Sequence, residues 1–324
     1  MKIDKKDYNL LKLLLSNSRL PLTSMGNKSK LSRENTAYRL ERLLKENIIK
    51  TNTAIINTNA LGFRQYALFI QLSKIDKQKE SKIIASLKEH KSVSWIGILT
   101  GKWSLVLDVY AENEKQLAQS IYEILDLCKE HIGEYALLPL EYKEYYMNKV
   151  INSNPAIFKS PSSKKVELDK TDLKILMLLN MNSRISYANL SNKIDLTANG
   201  IKKRIKKLEK DQIIIGYTSL INHKSFGFEW YGLQLKLLKF DAENINKLVK
   251  YFKENKRVIF YYRYFSGLWD FDIGILVKDS LELREFINEL RDKFSDIIKI
   301  NDFFLLLEEI SDNSLPKIVF ENNN

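Results

Sequence analysis

Residues 196–216 read LTANGIKKRIKKLEKDQIIIG, and this stretch decides how the chain is built. Thr197 stands where a helix N-cap belongs, its hydroxyl placed to accept from a free N–H of the next turn. Ile201, Ile205 and Leu208 recur at helical spacing and mark one apolar stripe. Lys202, Lys203, Lys206, Lys207 and Lys210, with Arg204, lie off that stripe, against a single anion, Glu209. The spacing predicts a helix over 197–210, apolar on one side and cationic on the other. Such a face suits a polyanion, although an isolated basic helix is as readily a solvated one. Ile213 to Ile215 then form a β-branched run, and Gly216 reads as a turn. Helix, short turn and strand in this order predict a winged helix-turn-helix.

The same pattern occurs twice. Sliding the sequence by 165 residues aligns 4–63 with 169–228 without a gap and with about 22 identities. Asp4 and Asp7 fall on Asp169 and Asp172, Asn17-Ser18-Arg19 on Asn182-Ser183-Arg184, Arg39 on Arg204, and Gly62-Phe63 on Gly227-Phe228. After one added residue Gly101 and Trp103 fall on Gly267 and Trp269. A repeat this long is a duplicated two-domain module.

In the second copy the three helices are expected over about 171–180, 187–194 and 197–210, and in the first over 7–15, 23–28 and 32–45. The helix over 23–28 reads as poor, because Gly26, Asn27 and Ser29 weaken it. Beyond each helical part the pattern is strand, helix, strand, strand, helix, strand. The segments are 65–73, 78–89, 92–99, 103–110, 114–130 and 135–140, then 230–240, 243–254, 257–265, 269–277, 281–293 and 297–307. Alternation such as Asp270, Asp272 and Gly274 against Phe271, Ile273 and Ile275 suits a sheet covered on one face. The order βαββαβ is the ferredoxin-like arrangement. The expected fold is therefore α+β, with two winged helix-turn-helix domains (1–60 and 167–225) alternating with two ferredoxin-like domains (61–150 and 226–312). A linker over 151–166, with two prolines and several serines, joins the copies, and residues 313–324 form a tail.

The 324 residues carry 52 Lys+Arg against 40 Asp+Glu, a formal net charge of +12. Both parts are basic: 24 against 17 up to residue 155, and 28 against 23 beyond it. This balance favours a nucleic acid or another anionic surface. Cys128 is the sole cysteine, which excludes an internal disulfide and a thiolate metal cage. The first residues lack a signal-peptide core, and no apolar run is long enough to span a membrane. A cytoplasmic protein without membrane partners is expected.

Each half resembles a whole member of the Lrp/AsnC (feast/famine) family of transcriptional regulators. The resemblance rests on LDKTDLKILMLLNMNSRIS, LSNKIDLTANGIKKRIKKLEKDQIIIGYTSLIN and GLWDFDIGILV, and on the weaker first copies IDKKDYNLLKLLLSNSRLP, LSRENTAYRLERLLKENIIK and GKWSLVLDV. It implies a sequence-specific regulator of double-stranded DNA, dimerising through its sheets and modulated by a small molecule such as an amino acid. Two copies in one chain depart from the family's usual stoichiometry. The effector domains are expected to pair within the chain or in a homo-oligomer.

In a helix-turn-helix the second helix of the motif enters the major groove with its first residues at base edges. Thr197, Asn199 and Lys202 hold that place in the second copy, Asn199 matching adenine and Lys202 guanine. Lys203, Lys206 and Lys207 are expected at phosphates. In the first copy the corresponding set is Ser32, Arg33, Asn35, Tyr38, Arg39 and Arg42. Arg39 and Arg204 share one register and either hold phosphate or pair with a carboxylate on the first helix. The two helices differ at almost every base-facing position, so two unlike half-sites are expected. The resemblance places an effector site at Gly267 and Asp270, with the Asp270 carboxylate on an ammonium group; Ser104 holds the matching position in the first copy.

No catalytic residue, metal ligand or cofactor is expected: His90, His131 and His223 lie far apart, the latter two reading as surface or loop residues, and no phosphate-binding glycine loop is present. One enzyme reading stands beside this. Sirohaem decarboxylases resemble the family and occur as fused pairs, and RVIFYYRYFSGLWDF has their tyrosines and arginine (Tyr261, Tyr262, Arg263, Tyr264) but no histidine. A third reading is an interaction protein that keeps its sheets and has lost DNA binding.

Overall fold

The structure is a computed structural model that describes residues 3–151, 157–159, 165–265, 267–310 and 315–321. The first copy runs α1 (Lys5–Ser16), α2 (Leu22–Ser29), α3 (Arg33–Lys45), β1 (Ile49–Ile56), β2 (Arg64–Leu72), α4 (Lys77–Glu89), β3 (Val93–Thr100), β4 (Leu105–Ala111), α5 (Glu114–Cys128) and β5 (Ile132–Tyr146). A short strand, β6 (Ile157–Lys159), follows. The second copy runs α6 (Lys170–Met181), α7 (Tyr187–Ser191), α8 (Ala198–Lys210), β7 (Ile214–Ile221), β8 (Glu229–Leu237), α9 (Ala242–Glu254), β9 (Val258–Tyr264), β10 (Phe271–Val277), α10 (Ser280–Phe294) and β11 (Ile298–Ile310). Most helices start on a side-chain cap: Asp4, Ser32, Asp169 and Thr197 each accept from an N–H of the first turn.

The element order is the expected one, but the units are not. The chain divides into two compact units, each drawn from both copies: residues 1–57, 145–159 and 168–228 form one, and residues 58–144, 160–167 and 229–324 the other. Within the first unit β1 pairs antiparallel with β7 of the other copy, from Ile49 opposite Ile221 to Ile56 opposite Ile214. The two helical parts also exchange contacts across this ribbon. Thr53 Oγ1 donates to the carbonyl of Asn180 on α6 (2.8 Å), and Thr218 Oγ1 to that of Leu15 on α1 (2.9 Å). The Ser18 and Ser183 hydroxyls lie 2.6 Å apart. Arg19 donates to the Ser183 and Ile185 carbonyls, and Arg184 to those of Ser18 and Leu20. The repeated Asn-Ser-Arg is thus the clasp between the copies.

Gly216 is corrected by this ribbon. It is no turn but lies within β7, opposite Ile55. A Cβ there would sit 2.3 Å from the ring of Phe158 on β6, so the glycine makes room for that ring. β6 itself falls inside the expected linker, whose residues 152–156 and 160–164 lie outside the described ones. The weak reading of 23–28 is also corrected. α2 forms with eight residues, longer than α7, and Gly26 lets the turn and α3 approach it: a Cβ would meet the Leu31 carbonyl at 2.7 Å and Thr36 Oγ1 at 3.0 Å.

In the second unit the strands follow the order β2-β4-β3-β11-β8-β10-β9-β5, and β5 also pairs with β2. The two ferredoxin-like sheets therefore close on each other within one chain, through β3–β11 and β9–β5. β5 runs well past the expected 135–140. One core lies between a sheet and α4 and α5, around Leu68, Leu107 and Ile124. Another lies between the sheets, where Phe69, Trp103, Trp269 and Phe304 meet. The tail is partly ordered: Leu315, Ile318 and Val319 are buried, and Lys317 pairs with Glu89 at 2.5 Å, while 311–314 and 322–324 lie outside the described residues. His131 and His223 are buried rather than at the surface.

Candidate nucleic-acid interface

α3 and α8 belong to the first unit, each packed on its own copy through a stripe of buried residues. For α8 these are Ile201, Ile205 and Leu208, and for α3 Thr36, Leu40 and Leu43. Burying each stripe leaves the opposite side to solvent. On α8 that side carries Thr197, Asn199, Lys202, Lys203, Lys206, Lys207 and Lys210, all exposed. Glu209, the lone acid of that helix, is half-buried and accepts from the Tyr217 hydroxyl at 2.7 Å. The face is thus five ammonium groups with no exposed carboxylate on the helix. On α3 the exposed set is Ser32, Arg33, Asn35, Tyr38 and Lys45, with Glu34 and Glu41 among them. Its cations are matched by anions, while its side chains are richer in groups that read bases. Asn35 Oδ1 accepts from Arg39 Nε at 3.0 Å, which fixes the orientation of that amide.

Arg39, Arg42 and Arg204, expected among the DNA-binding residues, are engaged with carboxylates of the first helices. Arg39 Nη1 bonds Asp4 and Asp7, both at 2.8 Å, and Arg42 Nη2 bonds the second Asp7 oxygen at 2.6 Å. Arg204 Nη1 bonds Asp169 at 2.5 Å and Asp172 at 3.0 Å. Of the two alternatives at this register, the carboxylate on the first helix is the one realised. Asp7 has no exposed side-chain surface, so its charge requires these partners. The N–H groups of the α1 cap, then Arg39, hold the Asp4 carboxyl down to about 2. The repeat had already placed both aspartates and the arginine in matching registers; the missing element was their distance.

The expected effector residues lie in the second unit. Asp270 does not offer its carboxylate to a ligand. It is buried, accepts from the Leu237 N–H at 2.7 Å and pairs with Lys236 at 3.2 Å. Ser104 does the same work in the first copy, its hydroxyl accepting from the Leu72 N–H at 2.9 Å. Both are clasps that stitch one strand to its neighbour. Gly267 is exposed and stands clear of other atoms. Tyr261, Tyr262, Arg263 and Tyr264 do not converge either. Tyr262 and Tyr264 face the core between the sheets, Tyr261 packs on Phe252 and Phe271, and Arg263 pairs with Glu141. Among the described residues there is no group of three or more His, Cys, Asp or Glu that could hold a metal ion, and no helix long and apolar enough to cross a membrane.

A family model described as winged helix-turn-helix DNA-binding matches residues 3–50 and again 168–215. The HTH-type transcriptional regulator Ptr1 of Methanocaldococcus jannaschii is 32% identical over 137 residues, which cover 41% of this chain and 86% of that protein. The HTH-type transcriptional regulator LrpB of Bacillus subtilis is 28% identical over 142 residues, 44% of this chain and 89% of that one. Among solved structures, the siroheme decarboxylase NirDL in co-complex with an iron-uroporphyrin III analogue matches 98% of this chain and 97% of its own, with a TM-score of 0.66 and 10% identity. That likeness is one of fold.

Proposed function

The chain belongs to the Lrp/AsnC family of helix-turn-helix transcriptional regulators, with two family modules in one polypeptide, and we propose that it reads one double-stranded DNA site of two unlike halves. The observation that carries this is the contrast between α8 and α3 within a single unit. α8 presents five exposed lysines, with Thr197 and Asn199 at its start; α3 presents Ser32, Arg33, Asn35 and Tyr38 with balancing acids. Lys203, Lys206 and Lys207 meet phosphates and anchor the complex, while Asn199 and Lys202 reach base edges. On the other half Arg33, Asn35 and Tyr38 read bases with a smaller electrostatic share. Arg39, Arg42 and Arg204 act indirectly, by holding the first helix. One chain supplies both reading helices, so one chain per site is the working stoichiometry.

The reading is of binding rather than catalysis. RVIFYYRYFSGLWDF lacks a histidine, and its tyrosines diverge. Rings seated on glycines narrow the space between the sheets: a Cβ at Gly274 would strike Phe260, and one at Gly232 would strike Phe304. Asp108 and Asp272 point into the same space, which disfavours a polycarboxylate tetrapyrrole as substrate. Modulation by a small molecule such as an amino acid follows from the family, without Asp270 as its ammonium partner.

Selection of bound duplexes from a random pool, with and without an amino-acid mixture, tests the reading. The expected result is an enriched site with two different halves. A palindrome would overturn the asymmetry, and no enrichment would overturn DNA recognition in favour of an interaction protein.

A further inference from the structure

The space between the two sheets holds a ring of side chains that the DNA reading leaves without a role. It begins at Asp108 on β4, which lies directly opposite Trp95 on β3. Trp95 stands 6.3 Å, centroid to centroid, from Trp230 on β8, and Trp230 5.6 Å from Phe260 on β9. Phe260 stacks at 4.8 Å on Tyr262, which lies opposite Asp272 on β10. Asp272 stands between Tyr262 on β9 and Gln234 on β8, on the same face of the sheet. Four aromatic rings and two carboxyl groups thus share this part of the fold.

The floor of this ring is polar and unsatisfied. Gln234 lies opposite Asp272 and is fully buried, and neither of its amide atoms has a hydrogen-bond partner. Asp272 is 4% exposed, and its Oδ1 also lacks a partner. Two such groups side by side are costly in a closed apolar core, which argues for an occupant. The rim is open by comparison: Asp108, Trp95, Trp230 and Tyr262 are only half-buried. Lys143 is the cation of the cluster, and it is engaged. Its Nζ donates to Gln65 Oε1 at 2.6 Å, and Gln65 in turn bonds Asp108. Lys143 offsets Asp108, and burial keeps the proton on Asp272, so a cation that enters is neutralised when Asp272 gives up that proton.

We infer that this ring binds an organic ammonium cation, such as an alkylamine or a quaternary amine. Aromatic faces attract such a cation through their quadrupoles, and Asp272 pairs with it directly once its proton is released. The Gln234 amide oxygen accepts a hydrogen bond from a primary amine. A zwitterionic amino acid fits poorly, because its carboxylate would lie against Asp108 or Asp272. A neutral isostere loses both attractions. The site is single, because its carboxyl groups have no repeat-related copies: Gly274 takes the place of Asp108, and Val106 that of Asp272.

The test uses the full chain without DNA, so its outcome is independent of whether the protein reads DNA. Tetramethylammonium chloride, n-butylammonium chloride, tert-butanol and glycine are titrated by calorimetry, with tryptophan fluorescence as a second readout of Trp95 and Trp230. Saturable binding of one or both amines is expected, with tert-butanol and glycine at least tenfold weaker. Asp272→Asn and Trp230→Leu should each weaken the amine roughly tenfold or more, with thermal melts confirming that both variants fold. The inference is overturned if neither amine binds to the folded wild type. It is equally overturned if tert-butanol or glycine binds as well as the amines, or if the folded Asp272→Asn variant keeps wild-type affinity.

Discussion

Replacing Lys203 and Lys206 by alanine isolates the electrostatic share of DNA binding. Both side chains are exposed on α8 and neither belongs to the buried stripe, so the fold is unaffected. Each phosphate contact contributes a slope of about −0.9 to the dependence of log affinity on log salt. If both lysines neutralise phosphates, the double variant has a slope shallower by about 1.8. Measured from a 1 M reference, affinity at ~0.1 M salt then falls about 60-fold, and at ~0.4 M only about fivefold. The companion variant, Arg33→Ala with Lys45→Ala on α3, should lose less, because exposed Glu34 and Glu41 already offset those charges. Arg39 and Arg42 are unsuitable for this comparison, since removing them strands Asp7. Fluorescence anisotropy on a labelled duplex across a salt series gives both slopes. An unchanged slope in the Lys203/Lys206 variant, or a larger loss from the α3 pair, would refute α8 as the main anchor.

Asp7→Asn should destabilise the first unit by about 3 kcal/mol, by leaving Arg39 and Arg42 short of their buried partner, whereas Lys203→Ala should leave the urea midpoint in place. Asp270→Ala should cost about 1–3 kcal/mol and Ser104→Ala about 1, because each removes an acceptor from a buried strand N–H; a melt unchanged in both would refute the clasp. Residues 1–150 expressed alone should give no stable monomer by sedimentation, because β1 would lack β7 and α1 the Thr218 hydroxyl. Asp272 makes stability depend on pH. Burial, then the nearby Asp108, raises its carboxyl from 3.8 to about 8, so the folded state holds the proton more tightly than the unfolded one. That contribution is fully present below pH 4, declines as pH rises toward about 8, and is flat beyond. Asp272→Asn should therefore flatten the fall of melting temperature across that window, and an equally steep fall in the variant would show that Asp272 is not its source.

What was legible in the sequence follows from what sequence patterns encode. Capping residues and apolar spacing are local, so α8, α6 and α3 sit within a residue or two of their expected places. The duplication was legible because Asn-Ser-Arg and Gly-Phe recur in register. Partner choice was not. Alternation says that β1 and β7 each have a buried face, but not that each lies against the other copy. β5 was read too short because its second half is completed by β9, which lies far along the chain. Gly216 was misread because the reason for it, the Phe158 ring, is remote in sequence. Asp270 and Ser104 looked unlike because they differ in charge. Their shared property is an oxygen within reach of a strand N–H, and only the register between β10 and β8, and between β4 and β2, reveals it.

The two units share one consequence of the duplication. In a homodimer a two-fold axis repeats every side chain, so a residue suited to one side of an interface is imposed on the other. A fused pair is released from that rule. On the reading helices Lys203 answers Tyr38 and Lys206 answers Glu41, so charge and base-reading are divided between α8 and α3 rather than averaged over both. Between the sheets the same freedom places Asp108 and Asp272 at positions that are not equivalent. Restoring the symmetry there would add an aspartate at Val106 and another at Gly274. Four carboxyl groups would then crowd one space, and the new side chain at Gly274 would strike the Phe260 ring. A desolvated cluster of that charge repels itself far more strongly than a single lysine offsets. The carboxyl pair is therefore a feature that only the fused chain can carry at this place in the fold.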